Sequence, residues 1–246
     1  MNTCLSPEEL ERYSRQIMVF GEEGQKKLKK SKVLVVGVGG LGSSVLYYLA
    51  AVGVGKLIIV DKEKVELSNL NRQIIHTTKD IGKEKAKSAE EKLRELNPNI
   101  DIEAYSTKFN EDLAKELIPK IDVAIDALDN WDTRIILNKY CVKYKKPLVH
   151  AGVRESYGQL MVIIPGKGPC LHCVFPRKPR EEHPFPILGP IPGVLGALEA
   201  LEAIKIITGY GKPAVGKLLI FDGKNLTIDI INVQRNPNCP ICSKLY

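Results

Sequence analysis

Short apolar runs alternate with amphipathic stretches over the first 150 residues. The runs KVLVVG (32–37), KLIIVD (56–61) and IDVAIDALD (121–129) are rich in β-branched residues, which is typical of strands buried on both faces. The stretch 82–98 instead has apolar residues at helical spacing and ends at a proline. This alternation predicts an α/β fold with a Rossmann-like, doubly wound, mostly parallel sheet.

The hydrophobic pattern changes in the C-terminal part. The runs GQLMVIIPG, KLLIFDG and LTIDIINV predict strands joined by short turns, and we expect these to be antiparallel. The nearly apolar segment 193–209 predicts a buried helix, whereas residues 174–192 are rich in proline and charge and predict a mobile loop. At the other end of the chain, a capping box that starts at Ser6 predicts a helix continuing to Gly21.

These patterns predict one domain over residues 1–246. We expect an N-terminal helical arm (1–30), a part in which strands and helices alternate around a glycine-rich turn (31–150), and a C-terminal part (151–246) with a crossover loop and a tail that carries two cysteines.

Charge and hydropathy exclude several classes of protein. Lys and Arg number 36 against 29 acidic residues, a formal charge of +7, but the basic residues are spread along the chain and cluster only at 26–32. A polar helix end explains that cluster, so we expect no nucleic-acid partner; the small surplus suits an enzyme that handles polyphosphate. No apolar run reaches the roughly 18 residues of a membrane span, and the N-terminus lacks a signal peptide, so we expect a cytoplasmic protein with no membrane association.

A glycine-rich turn follows the first predicted strand. Gly37, Gly39 and Gly42 fit the pattern GxGxxG, in which glycines let backbone N–H groups approach phosphate at a helix N-terminus. Asp61 ends the next strand, where a carboxylate accepts hydrogen bonds from ribose hydroxyls. The motif favours a nucleotide over a purely structural turn, but by itself it does not separate NAD from ATP.

Polar residues after the strands favour a triphosphate. Cations neutralise phosphate charge, and an acidic residue can hold Mg²⁺. Each residue alone has the simpler interpretation of a solvated surface group, most of all the lysine within KEKAK. The set consists of Ser68, Asn69, Arg72, Gln73, Lys85, Asp129 and Asn130.

Four of the six cysteines form two CxxC pairs, and such pairs supply four thiolates at the spacing of a tetrahedral zinc site. The alternative is a set of reduced or disulfide-bonded cysteines, and disulfides are disfavoured in the cytosol. His172 lies between two of the cysteines, and we do not expect it to be a ligand; Cys141 is expected in the core and Cys4 in a loose N-terminus. The predicted zinc ligands are Cys170, Cys173, Cys239 and Cys242.

Further motifs run along almost the whole chain. They are RYSRQ (12–16), GVGGLG (37–42), VDKEKVELSNLNRQ (60–73), GKEKA (82–86), ALDNWDTR (127–134), GQLMVIIPGKGPCLHC, GVLGALEALEAIKIITGYGKP and NPNCPIC. In this order they resemble the HesA/MoeB/ThiF family of ubiquitin-activating-enzyme-like adenylyltransferases, and more specifically its molybdopterin-synthase and sulfur-carrier branch.

The resemblance implies ATP-dependent adenylation of the C-terminal glycine of a small ubiquitin-like sulfur-carrier protein, with release of pyrophosphate. It also implies a structural zinc and a homodimer in which Arg15 reaches the triphosphate of the neighbouring subunit. Arg15 would act by stabilising transition-state charge. The implied roles are a phosphate loop at Gly39, Gly40 and Leu41, a ribose contact at Asp61, phosphate contacts at Asn69, Arg72 and Lys85, and positioning of Mg²⁺ and the reacting groups by Asp129.

Family members that form a thioester carry a cysteine in the loop before the apolar helix, and residues 174–192 contain none. We therefore expect adenylation without an enzyme thioester. Two other hypotheses stay open: adenylation of a small-molecule carboxylate in cofactor biosynthesis, and an NAD-dependent oxidoreductase supported only by the glycine turn and Asp61.

Overall fold

A computed structural model describes residues 4–180 and 184–245, which fold around a single eight-stranded sheet. The strands lie in the order β3-β2-β1-β4-β5-β6-β7-β8. Neighbours from β3 to β5 are parallel, and the pairs from β5 to β8 are antiparallel. The strands are β1 Lys32–Val36, β2 Lys56–Val60, β3 Asp101–Tyr105, β4 Val123–Asp126, β5 Leu148–Arg154, β6 Tyr157–Ile163, β7 Lys217–Asp222 and β8 Thr227–Asn232.

Helices cover both faces of the sheet, as the continuous apolar runs of the central strands require. On one face α3, α4 and α8 pack over the larger hydrophobic core, and on the other α5 and α6 enclose the second. The helices are α1 Pro7–Arg12, α2 Ser14–Lys30, α3 Gly40–Ala51, α4 Lys85–Leu96, α5 Glu111–Leu117, α6 Trp131–Lys143, α7 Leu171–Val174 and α8 Pro190–Thr208. Within the described ranges, none of them combines the length and apolar character that crossing a bilayer requires.

The predicted fold class is confirmed: a parallel Rossmann-like core continues into antiparallel C-terminal strands. The order of the first four parallel strands reverses at β1, so the chain crosses the sheet between β3 and β4. Ligands of open α/β sheets bind at such a reversal, beyond the carboxyl ends of the strands. The division of the chain into three parts stays a prediction.

The first helix differs from the prediction. Instead of one helix to Gly21, the chain forms α1 and α2 with a break at Tyr13 and a kink at Gly21, whose φ of 75° suits glycine. Tyr13 is buried, and its hydroxyl accepts a hydrogen bond from Asn97 Nδ2 at 2.8 Å. This long-range contact fixes the break, and local sequence does not reveal it.

The strand predicted over 121–129 is also shorter, since β4 ends at Asp126 and the rest turns into the loop before α6. Of the predicted mobile loop 174–192, residues 181–183 lie outside the described residues. The predicted buried helix 193–209 is present as α8, which begins at Pro190.

Candidate active site

The carboxyl ends of β1, β2 and β4 open into one cleft of about 1110 Å³. The glycine turn after β1 forms one wall, and the loop from Ala127 to Asn130 after β4 forms another. Most of the predicted nucleotide-binding residues line this space. They are Gly37, Gly39, Gly40, Leu41, Asp61, Arg72, Gln73, Lys85, Asp129 and Asn130.

Two glycines in the turn are required by close backbone approaches. Gly37 has a φ of 102°, and a Cβ there would lie 2.4 Å from the carbonyl oxygen of Ala127. A Cβ at Gly42 would lie 2.1 Å from the carbonyl oxygen of Gly37, so Gly42 lets α3 pack against the turn rather than facing a ligand. Because α3 begins at Gly40 without a side-chain cap, its first N–H groups remain available to an anion.

Two side chains hold Val38, at the centre of the turn. The N–H of Val38 donates to Asp61 Oδ2 at 2.7 Å, and its carbonyl oxygen lies 3.3 Å from His76 Nε2. Asp61 also accepts the N–H of Glu63 at 2.7 Å. Burial raises the pKa of Asp61, and these two backbone hydrogen bonds oppose the shift. Asp61 therefore fixes the turn as well as facing the cleft.

The predicted cations stand on the same side of the cleft. Lys85 is almost fully buried, and its ammonium forms an ion pair with Glu63 Oε2 at 2.7 Å, which leaves further N–H donors for phosphate. Arg72 Nη1 donates to the carbonyl oxygen of Ser68 at 2.7 Å, which orients the guanidinium. Gln73 is buried, and its Oε1 has no hydrogen-bond partner within residues 4–180 and 184–245. An unsatisfied buried acceptor at a cleft wall is suited to binding a donor on a ligand.

Asp129 and Asn130 lie opposite, at the end of β4. Asn130 is the N-cap of α6, and its Oδ1 accepts the N–H of Thr133 at 3.0 Å. The side chain of Asp129 is exposed and faces a cleft with cations on its other wall. A carboxylate in this position is a suitable Mg²⁺ ligand.

Four predicted site residues lie apart from the described cleft lining: Gly42, which packs against the turn, and Arg15, Ser68 and Asn69. Arg15 is exposed on α2, and Ser68 is exposed on the short 3₁₀ turn before Leu70. Asn69 is buried, and its Oδ1 accepts the N–H of Glu66 at 3.0 Å, so in this structure it stabilises the loop that carries Arg72.

Sequence reasoning missed a buried polar cluster next to the cleft. The carboxylate of Asp126 contacts Arg134 Nε at 2.9 Å and His150 Nδ1 at 2.7 Å. Although burial alone would raise the pKa of Asp126, the charge of Arg134 and the interaction with His150 hold it below its usual value. Burial also lowers the pKa of His150, so the ring is neutral. The available signal was a polar residue inside each of two otherwise apolar runs, VAID and PLVHAGV.

Glu199 on α8 is a second unforeseen group. It is fully buried, and burial, together with the charge of Asp126, raises its pKa well above the usual value for a glutamate. The side chain is therefore a neutral acid that feels the charge of the Asp126 cluster.

The four predicted zinc ligands converge away from the cleft. Their sulfurs all lie within 4.8 Å of one another, with Sγ–Sγ distances of 3.7 Å for Cys170–Cys239 and 3.5 Å for Cys173–Cys242. Four thiolates at the Zn–S bond length of a tetrahedral site are separated by about 3.8 Å, so the set fits zinc. These separations are too long for disulfides, which have S–S bonds of about 2 Å. Cys141 is buried in the second core, as expected.

Known proteins share this architecture. The model of the ThiF family matches residues 13–241. Protein HesA (heterocyst) of Trichormus variabilis is 42% identical over 97% of this chain and 90% of its own length. The sulfur carrier protein adenylyltransferase of Thermus thermophilus is 42% identical over 96% and 91%, respectively. The crystal structure of E. coli MccB with ATP matches 94% of this chain and 74% of MccB with a TM-score of 0.83 and 27% identity.

Proposed function

This chain belongs to the ThiF family, and we propose that it is an ATP-dependent adenylyltransferase that activates the C-terminal glycine carboxylate of a small ubiquitin-like sulfur-carrier protein. The observation that supports this most is the single cleft that brings together the glycine turn, Asp61, two cations and Asp129. The Thermus relative carries the name of this activity, and the E. coli neighbour was solved with ATP. We propose that the whole chain acts as one adenylation domain.

In the proposed reaction, a carboxylate oxygen of the carrier attacks the α-phosphorus of ATP. The bond from that phosphorus to the bridging oxygen of the β-phosphate breaks, so acyl-adenylate and pyrophosphate form. The main barrier is repulsion between an anionic nucleophile and a polyanionic substrate. Lys85 and Arg72 on the cleft wall reduce that repulsion, and Mg²⁺ held by Asp129 would neutralise phosphate charge.

The acyl-adenylate is the product that leaves this enzyme, with no thioester formed on it. Residues 174–192 contain no cysteine. Cys141 is buried, and burial raises the pKa of its thiol, so it is not a nucleophile. The four cysteines that follow Cys141 in the sequence form the proposed zinc site, which would tie the C-terminal tail to the body of the domain.

We propose that the active enzyme is a homodimer in the cytoplasm, in which Arg15 reaches the partner's triphosphate. The surface of α2 supports this: next to Arg15, the apolar side chains of Met18 and Val19 are 79% and 56% exposed. Apolar groups exposed together on one helix are typical of a protein interface.

ATP–pyrophosphate exchange tests the proposed function. Purified enzyme is assayed with candidate carrier proteins, each with and without the terminal Gly-Gly, and separately with small carboxylates. We expect exchange only with the intact carriers. If only small carboxylates support exchange, the substrate is a small molecule and not a carrier protein. Absence of exchange combined with tight NAD binding would refute the proposed adenylyltransferase activity.

A further inference from the structure

The sheet order divides the cleft between two reactants. Asp61 follows β2 and the glycine turn follows β1, so the nucleotide side lies toward these strands. Asp129 follows β4, and the wall beyond it is built from the ends of β5 and β6. If the proposed function holds, the acyl substrate approaches the α-phosphate from this second side, because the first is occupied by the nucleotide.

Gln159 on β6 contributes an uncharged amide to the wall of that second side. It pairs across the sheet with Gly152, where an added Cβ would lie 3.3 Å from Gln159 Nε2. A side chain at position 152 would therefore crowd the amide, and glycine leaves it room to lie against the cleft wall.

A buried chain of hydrogen bonds fixes the orientation of this amide. Gln159 Nε2 lies 3.2 Å from His150 Nε2, and His150 Nδ1 lies 2.7 Å from Asp126 Oδ2. The carboxylate of Asp126 is an acceptor, so the neutral ring carries its proton on Nδ1 and presents a lone pair on Nε2. The NH₂ group of Gln159 must then face His150, which leaves the side-chain oxygen for a ligand.

A second residue, Arg134, immobilises Asp126. Arg134 contacts the carboxylate, and its Nη2 donates to the carbonyl oxygens of Leu128 and, at 3.0 Å, Ala151. Leu128 precedes Asp129, and Ala151 precedes Gly152. The same buried pair thus holds the loop after β4 and the strand that faces Gln159.

We propose that Gln159 binds the acyl substrate: its side-chain oxygen accepts a hydrogen bond from a peptide N–H of an extended C-terminal tail, and His150 and Asp126 act as positioning residues. This inference rests on the proposed function and narrows its substrate to acids that have a peptide bond near the carboxylate. A small carboxylate without an amide N–H gains nothing from this contact.

Two substitutions test the hydrogen bonds of Gln159 separately. Gln159→Met keeps the length of the side chain and removes the acceptor. His150→Asn retains an N–H donor for Asp126, so the buried carboxylate stays paired, but it no longer reaches Gln159. The measurements are KM for a carrier protein ending in Gly-Gly and KM for ATP in pyrophosphate exchange, with melting temperatures as a check on folding.

We expect each substitution to raise KM for the carrier about tenfold. The double variant should have a carrier KM no higher than that of the more strongly affected single variant, because both substitutions remove the same contact. KM for ATP should change by less than about twofold. A general structural defect would instead raise KM for both substrates. Unchanged carrier KM in Gln159→Met would overturn the inference, and unchanged KM in His150→Asn alone would remove His150 from it. Absence of exchange in the wild-type enzyme would instead reject the proposed function, and this inference with it.

Discussion

Val38 shows how single side chains shape the site. Its N–H and its carbonyl oxygen are both held by side chains, those of Asp61 and His76, so the glycine turn is fixed in place before any ligand binds. Preorganised N–H donors bind an anion without first having to reorganise, which is how such a turn contributes to transition-state stabilisation. The residues that hold the turn are as much part of the site as those that face the cleft.

His76 makes stability depend on pH. Burial lowers its pKa from 6.5 to about 4, so between these values the unfolded chain binds a proton that the folded chain does not. The contribution of His76 to the free energy of unfolding is fully present above pH 6.5. It decreases as the pH falls, by up to about 3 kcal/mol near pH 4. We expect urea unfolding of His76→Gln to show a weaker loss of stability than wild type between pH 7 and pH 4.5. Equal slopes for the two proteins would contradict this assignment.

Asp129 is expected to be indispensable to the chemistry and dispensable to the fold, because its side chain is exposed at the cleft. Asp129→Ala should lower pyrophosphate exchange at least about 100-fold with little change in melting temperature. Asp112→Asn, an exposed acid on α5, is the matched control and should exchange like wild type. Exchange at the wild-type rate in Asp129→Ala would remove this residue from the mechanism.

At the scale of residues, the sequence located side chains at the cleft where they stand next to recognisable motifs, and their roles stay predictions. Ten of the predicted nucleotide-binding residues line the cleft because they follow strand ends, which the apolar runs locate. Asp126, His150 and Gln159 were missed because their contacts depend on register: β4 and β5 pair Asp126 with His150, across 24 residues of sequence. No local pattern specifies that pairing.

Among the elements, the short helix α7 and the C-terminal tail depend on one another. Cys170 and Cys173 belong to α7 and its N-cap, whereas Cys239 and Cys242 lie in the last turns of the described chain. A helix of four residues has little stability alone. Zinc at these sulfurs would therefore add a bonded link between the tail and the body, beside the packing of Ile241 and Leu245 against the second core.

Cys239→Ser should lose bound zinc and lower the melting temperature by at least about 5 °C. Cys4→Ser is the control, since Cys4 is exposed and lies outside the metal cluster, and it should retain the metal. Zinc content is measured by atomic absorption on protein purified without chelator. Wild-type protein with almost no zinc would refute the site.

The strands and most helices followed from hydrophobic periodicity, since their runs are long and consistent. The break between α1 and α2 did not, because it depends on Tyr13 packing against Gly53 and binding Asn97. The end of β4 was placed too late for a related reason: Ala127 is as apolar as a strand residue, but its N–H donates to the carbonyl oxygen of Val36 as the chain turns away. Tertiary contacts override local preference at both points.

For the whole molecule, β1 and β4 lie in the middle of the sheet with a hydrophobic core on each face. The candidate active site lies where these strands end, so its walls are held by strands that are buried on both faces. Arg15 alone of the proposed catalytic residues lies on the exposed helix α2, away from the described cleft lining. We therefore expect Arg15 to act in catalysis from a second subunit.

Mixing two inactive variants tests this requirement. Arg15→Ala and Asp129→Ala should each fold normally and each lack exchange activity, since every active site in either homodimer misses one group. In a mixed dimer, one site combines the intact Arg15 of one subunit with the intact Asp129 of the other, while the second site lacks both. Random exchange makes roughly half of the dimers mixed, so activity should recover to about one quarter of wild type. Subunit exchange is verified by mass spectrometry of differently tagged chains, and mixed dimers without activity would show that Arg15 does not act across the interface.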